Sequence, residues 1–139
     1  MENFLDNIMN ENSCVTLTIC GSYRFRELKE KYQAYYTIKN NLVFLPINYM
    51  SIKNDVENTH ENNRIVMANI HDRKINLSEG IIVVTGVDGY FGSDTAREIE
   101  YAKRHNKKLL FTTIPEDVKE KYYFNNDETY PLYILKEEL

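Results

Sequence analysis

The 139-residue chain has no tryptophan, only two cysteines and no surplus of positive charge. Its 17 Lys and Arg against 21 Asp and Glu give a formal net charge of −4, so it lacks the basic excess that neutralising a phosphate backbone demands. No polymeric nucleic acid is expected as a partner. No apolar run reaches the length of a membrane span, and the opening residues MENFLDNIMNEN hold acids and amides where a secretory leader needs positive charge and a continuous apolar stretch. No membrane partner is expected, and a cytoplasmic location is. Cys14 and Cys20 lie at either end of one apolar run, so a bridge between them would fold a strand in half; two reduced, buried thiols are expected instead. The three histidines and two cysteines show no ligand spacing, so no metal site and no cofactor are expected. Neither a Walker A pattern nor a dinucleotide fingerprint occurs, which weakens triphosphate hydrolysis and hydride transfer as activities. Internal repeats and low-complexity tracts are also missing.

What the chain does have is length for one domain, residues 1–139, with a core that needs no staples. Eleven tyrosines and six phenylalanines, several of them between Tyr122 and Tyr133, are expected to serve core and interface packing. Cys14–Cys20 is a β-branched, apolar run ending at Gly21-Ser22, and reads as a central strand. Strong helix formers follow from Arg24 to about Tyr36, with Phe25, Leu28, Tyr32 and Tyr35 or Tyr36 at helical spacing. Leu42–Ile47 supplies a second strand, so the opening is β-α-β and its strands are parallel. Residues 51–63 are polar and read as a loop; helical spacing returns from Arg64 to about Leu77. Gly80–Thr85 is continuously apolar, as a strand covered on both faces must be. A helix over about Thr95–His105, a strand over Lys108–Thr113, a short charged helix near Glu116–Tyr122 and an edge strand over Tyr130–Leu135 complete the pattern. The expected fold is α/β: a flavodoxin-like or Rossmann-like doubly wound parallel sheet of about five strands in three α/β/α layers.

In such sheets ligands sit beyond the carboxyl ends of the strands. Two strand exits carry polar chemistry. After the first, Gly21, Ser22, Tyr23 and Arg24 read either as a phosphate or sugar-hydroxyl site, with a glycine for close backbone approach and helix-mouth amides for an anion, or as an ordinary turn. After the third come Gly92, Ser93, Asp94 and Thr95, then Glu98 and Glu100. On a helix those two glutamates point about 200° apart, so one can face the crevice; Glu98 is nearest the loop and Glu100 is expected in solvent, with Ala96, Ile99 and Ala102 against the sheet. Two readings of Glu98 stay open at this point. Thr95-Ala-Arg-Glu98 fits a T-x-x-E capping box, in which the glutamate only accepts a backbone N–H, or the carboxylate is free for catalysis.

Gly21-Ser22, the stretch HDRKINLSEG at 71–80 and the stretch GYFGSDTAREIEYA at 89–102 together resemble the nucleoside 2-deoxyribosyltransferase-like family. The pattern is closest to a small bacterial and phage branch with H-x-x-K-I-x-x-S-D followed by G-Y-I-G-x-S-T-x-x-E-I-x-Y-A. The likeness runs in order over about residues 14–113. It implies that Glu98 is the nucleophile of a covalent ribosyl-enzyme intermediate. It also implies an aspartate near the base ahead of the third strand; Asp72 matches by position, and an exposed helical acid is its other reading. His71 beside it is an acid, a base contact or a structural histidine. Tyr23 either helps position the sugar, base or glutamate, or only packs. For a nucleoside monophosphate, Ser22, Arg24, Ser93 and Thr95 are the implied phosphate ligands. The chemistry is coherent, because cleaving an N-glycosidic bond builds positive charge at the anomeric carbon that a carboxylate can stabilise and trap.

The resemblance implies a nucleoside or nucleoside 5′-monophosphate N-glycosidase or deoxyribosyltransferase, with a homodimer or larger homo-oligomer as its assembly. A module that binds a nucleotide-derived ligand without cleaving it is the competing expectation. Two departures bear on this. Gly92 stands where the transferases proper carry an acid six residues before the nucleophile, and Glu79 stands where relatives carry Asp.

Overall fold

The computed structural model describes residues 3–47 and 60–138. Four helices and six strands carry the architecture: α1 (Phe4–Met9), β1 (Thr16–Cys20), α2 (Arg26–Ile38), β2 (Leu42–Phe44), α3 (His60–Leu77), β3 (Gly80–Val83), α4 (Ser93–Arg104), β4 (Lys108–Phe111), β5 (Tyr122–Phe124) and β6 (Tyr133–Leu135). Single 3-10 turns at Tyr23–Phe25 and Val87–Gly89 lead from β1 and β3 toward the helices that follow. The strands form one sheet in the order β2-β1-β3-β4-β6-β5. The first four are parallel, β6 is antiparallel to β4, and β5 to β6.

The class is α/β as expected, but the sheet is mixed and has six strands rather than about five parallel ones. The difference lies in the last third of the chain. Tyr122–Phe124 and Tyr133–Leu135 are three residues each, too short for a periodic signal, and no helix long enough for a parallel crossover separates them. They pair as a hairpin, with β5 at the edge and β6, expected at the edge, inside it. The charged segment before β5 is a 3-10 helix over Glu116–Lys121. The short α1 was also not foreseen; Asn3 and Asp6 close a capping box at its start, and it buries Leu5 and Ile8.

Alternation along the strands splits the core in two. Leu17 and Ile19 of β1, Ile82 of β3 and Leu110 of β4 point to one face, where Tyr32 and Tyr36 of α2 cover them with α1. Cys20, Ile81, Val83 and Leu109 point to the other, under Ile75 of α3 and Ile99 and Ala102 of α4. Helices therefore lie on both faces of the sheet. In α2 the sheet-facing residues are Lys29, Tyr32 and Tyr36, while Leu28 is partly exposed. In α4, Thr95 rather than Ala96 joins Ile99 and Ala102 as the buried stripe, since the helix begins at Ser93. Residues 60–63, expected in a loop, open α3; the remaining loop expectation, 51–59, falls outside the described residues.

The tyrosines of α2 reach to the far end of the chain. Tyr32 donates to the Pro131 carbonyl, Tyr36 to the Tyr130 carbonyl and Tyr35 to the Asp127 carboxylate. Tyr130 in turn stacks on Tyr35 and meets Tyr32 edge-on, so these aromatics pack the core as their abundance led us to expect. Cys14 and Cys20 are both free thiols, but only Cys20 is buried; Cys14 is exposed because β1 begins two residues after it. Among the described residues no helix is long and apolar enough to cross a membrane.

Candidate active site

Three elements converge on the α3/α4 side of the sheet, at the carboxyl ends of the parallel strands. β1 ends at Cys20, α3 presents His71 four residues before the core residue Ile75, and α4 presents Glu98 beside the buried Ile99. Their polar atoms meet at one point: His71 Nε2 lies 3.1 Å from Glu98 Oε2 and 3.4 Å from Cys20 Sγ. His71 and Glu98 line a cavity of about 460 Å³, walled further by Pro46 and Ile47 after β2, by α3 between Arg64 and Lys74 and by Asp94 and Arg97 of α4. Its size is in the range of small-ligand sites.

Burial governs the electrostatics here. Loss of hydration raises the Glu98 carboxyl to about 7, against the opposing pull of Arg97 and Lys29. Desolvation also lowers His71 to about 4, with Lys74 adding to the effect. At neutral pH the imidazole is therefore uncharged, and the 3.1 Å contact is a hydrogen bond rather than an ion pair. Cys20 is driven well above the ordinary thiol range by its complete burial and then by Glu98, so it is a thiol and not a standing nucleophile. Lys29 donates to the Gly21 carbonyl at 3.0 Å, and desolvation lowers its pKa.

The capping-box reading of Glu98 does not hold. Gly92 is the N-cap of α4 with no side-chain cap bond, Thr95 is the third helical residue and is buried, and Glu98 lies a turn further on, bonded to His71. Asp72 is held by Arg97 in a two-pronged pair at 3.1 and 3.2 Å and does not itself line the cavity. Replacing Arg97 with Met leaves that largely buried carboxylate without its cation; we expect a loss of about 1 kcal/mol in urea unfolding. Asp94 reaches the cavity rim, exposed, 3.9 Å from Arg64.

The first loop is arranged differently. Ser22 Oγ accepts from the Arg24 amide and caps the 3-10 turn. Arg24 lies over the rings of Phe25 and Tyr90, and Arg26 over Tyr23, which is half exposed. The two loops thus meet, as neighbouring β1 and β3 require, through Arg24 and Tyr90. None of Gly21, Ser22, Tyr23, Arg24, Gly92, Ser93 and Thr95 lines the cavity. Its cations are instead Arg64, Lys74 and Arg97, which sequence reasoning passed over with Cys20 and Lys29. The signal for Lys29 was its helical spacing with Tyr32 and Tyr36 on a buried face. Glu100 is exposed, as expected, and Glu100→Ala should leave both folding and any turnover within about 0.5 kcal/mol of wild type. Comparison with known proteins finds no matching family model, no matching curated protein and no matching solved structure.

Proposed function

We propose that the chain is a nucleoside or nucleoside 5′-monophosphate N-glycosidase or deoxyribosyltransferase on a flavodoxin-like, doubly wound fold, with Glu98 as its nucleophile. The observation that carries this reading is the Glu98 carboxyl turned into the cavity instead of onto its own helix amides. In the step proposed, a Glu98 oxygen bonds to the anomeric carbon as the bond from that carbon to the base nitrogen breaks; the electron pair leaves with the base, which takes up a proton from solvent water. Water or a second base then displaces the glutamate. His71, on the cavity wall, holds the carboxyl in place, and Arg64, Lys74 and Arg97 supply positive charge for a 5′-phosphate. Asp72 acts through Arg97 in this arrangement, since its oxygens are occupied by the guanidinium.

The pH dependence separates nucleophile from acid. A nucleophile must be ionised, and burial holds Glu98 near 7, so kcat/KM for base release should rise with pH through that value and level off above it. A fall across the same range would assign Glu98 the role of proton donor and end the covalent scheme. The second reading, a module that holds a nucleotide without cleaving it, is favoured by Gly92 at the position of the missing acid and by the ease with which Glu98 stays protonated. Incubation with deoxynucleosides and their monophosphates decides between them: free base supports cleavage, while a stoichiometric complex without free base supports binding alone. A homodimer or larger assembly and a cytoplasmic setting belong to the same proposal.

A further inference from the structure

The Cys20, His71 and Glu98 cluster is overdetermined as a hydrogen-bonded group. His71 Nε2 faces both the Cys20 sulfur and the Glu98 carboxyl, yet one ring nitrogen has either one proton to give or one lone pair to offer. One of its two neighbours is always poorly served. His71 Nδ1 is buried and has no partner, so the ring gains nothing on its other side to compensate. One sulfur, one nitrogen and one oxygen within 4.8 Å of one another would all be satisfied together by a cation placed between them.

We propose that Cys20, His71 and Glu98 form a three-ligand site for a borderline divalent transition-metal ion of the Zn²⁺ type, with the remaining coordination position open to the cavity. The donor set of thiolate, imidazole and carboxylate is the one such ions select over Mg²⁺ or Ca²⁺, which take oxygen. The two separations that share His71 Nε2, 3.1 Å to Glu98 and 3.4 Å to Cys20, are close to the edges of a tetrahedron with bonds of about 2.0–2.3 Å, and the sulfur-to-carboxylate separation is within 4.8 Å. Charge also balances. On binding, the Cys20 thiol loses its proton to solvent, and one thiolate, one carboxylate and a neutral imidazole around a dication leave no net charge in a buried place. Because Glu98 would be a ligand, metal and sugar would compete for the same carboxylate; a nucleoside substrate would be cleaved only by the metal-free protein.

The test is a Co²⁺ titration of the full chain without any nucleoside, followed by absorption. The expected result is an intense near-ultraviolet sulfur-to-cobalt band and strong visible bands of a four-coordinate ion, displaced by stoichiometric Zn²⁺. The bands should persist in Cys14→Ser, which removes the exposed thiol, and vanish in Cys20→Ser with at least a ~100-fold loss of affinity, ligand loss exceeding the 10–100-fold typical of an outer-shell change. Glu98→Gln should keep the sulfur band and weaken binding, so the test survives any folding defect of Cys20→Ser. Only a weak six-coordinate spectrum in wild type, or a sulfur band that follows Cys14, would overturn the site. This outcome is independent of base release: the titration uses no substrate, and failure of either experiment leaves the other standing.

Discussion

Replacing Glu98 with Gln is expected to abolish base release, by at least about 1,000-fold in kcat, while making the protein more stable above neutral pH. The amide keeps the shape of the side chain and can still hydrogen-bond His71, but it cannot attack a sugar. The stability effect follows from proton linkage. Glu98 is raised from 4.5 to about 7, so between those values the folded state holds more protons than the unfolded one, and stability falls as pH rises. His71 is lowered from 6.5 to about 4, so there the unfolded state holds more protons and stability rises with pH. The two slopes oppose each other over the shared range. Of these two groups only Glu98 still costs stability above pH 7, and Glu98→Gln should recover on the order of 2 kcal/mol of that cost, while Cys20 and Lys29 are common to both proteins. Chemical denaturation of both proteins at pH 5 and pH 9, beside an assay for free base, measures both halves. A variant that turns over at near wild-type rate ends the glycosidase reading, and one that unfolds more easily at pH 9 ends the electrostatic account.

Gly21→Ala is expected to be the most damaging small substitution, costing about 2–4 kcal/mol. Gly21 has φ +153°, a conformation that side chains resist, and a Cβ there would lie 2.9 Å from the Val84 carbonyl oxygen and 3.3 Å from its Cβ. The contact is backbone of the neighbouring strand exit, just where the Val84 amide donates to the Cys20 carbonyl, and cannot swing aside. Urea unfolding reports the loss directly. The approach of two strand ends is thus enough to require the glycine, whatever the turn binds; a variant of undiminished stability would overturn this packing account. Gly92 is the control, since nothing lies within 4 Å of a Cβ built on it.

Much of this architecture could be read from residue patterns. The unbroken apolar run at Gly80–Val83 has to be covered on both sides, and the strand-helix alternation up to β4 follows from period alone. The apolar runs are longer than the paired strands, because residues such as Val84 and Leu45 continue past the last paired position. The C-terminal hairpin escaped because three-residue strands have no period to detect. At the site, Glu98 and His71 could be picked out as polar groups near strand ends, whereas their junction with Cys20 could not. Cys20 and His71 are 51 positions apart, and only the side-by-side placement of β1 and β3, with α3 and α4 on one face, brings them together. Arg97 and Asp72 are joined by the same long-range geometry. The cavity cations carry no such signal, because sequence points to glycine-rich turns for an anion, while the fold closes the first of those turns with its own arginine and aromatic rings.

The ties from α2 to the last loop have a consequence for how the chain is made. Tyr32 and Tyr36 bond to carbonyls 99 and 94 residues downstream, so on a ribosome they emerge long before their acceptors exist. Until those acceptors are synthesised, one sheet face stays only partly roofed and its phenols bond to water. The half of the molecule bearing Glu98 can assemble during that interval, and the nascent chain seals its tyrosine side last.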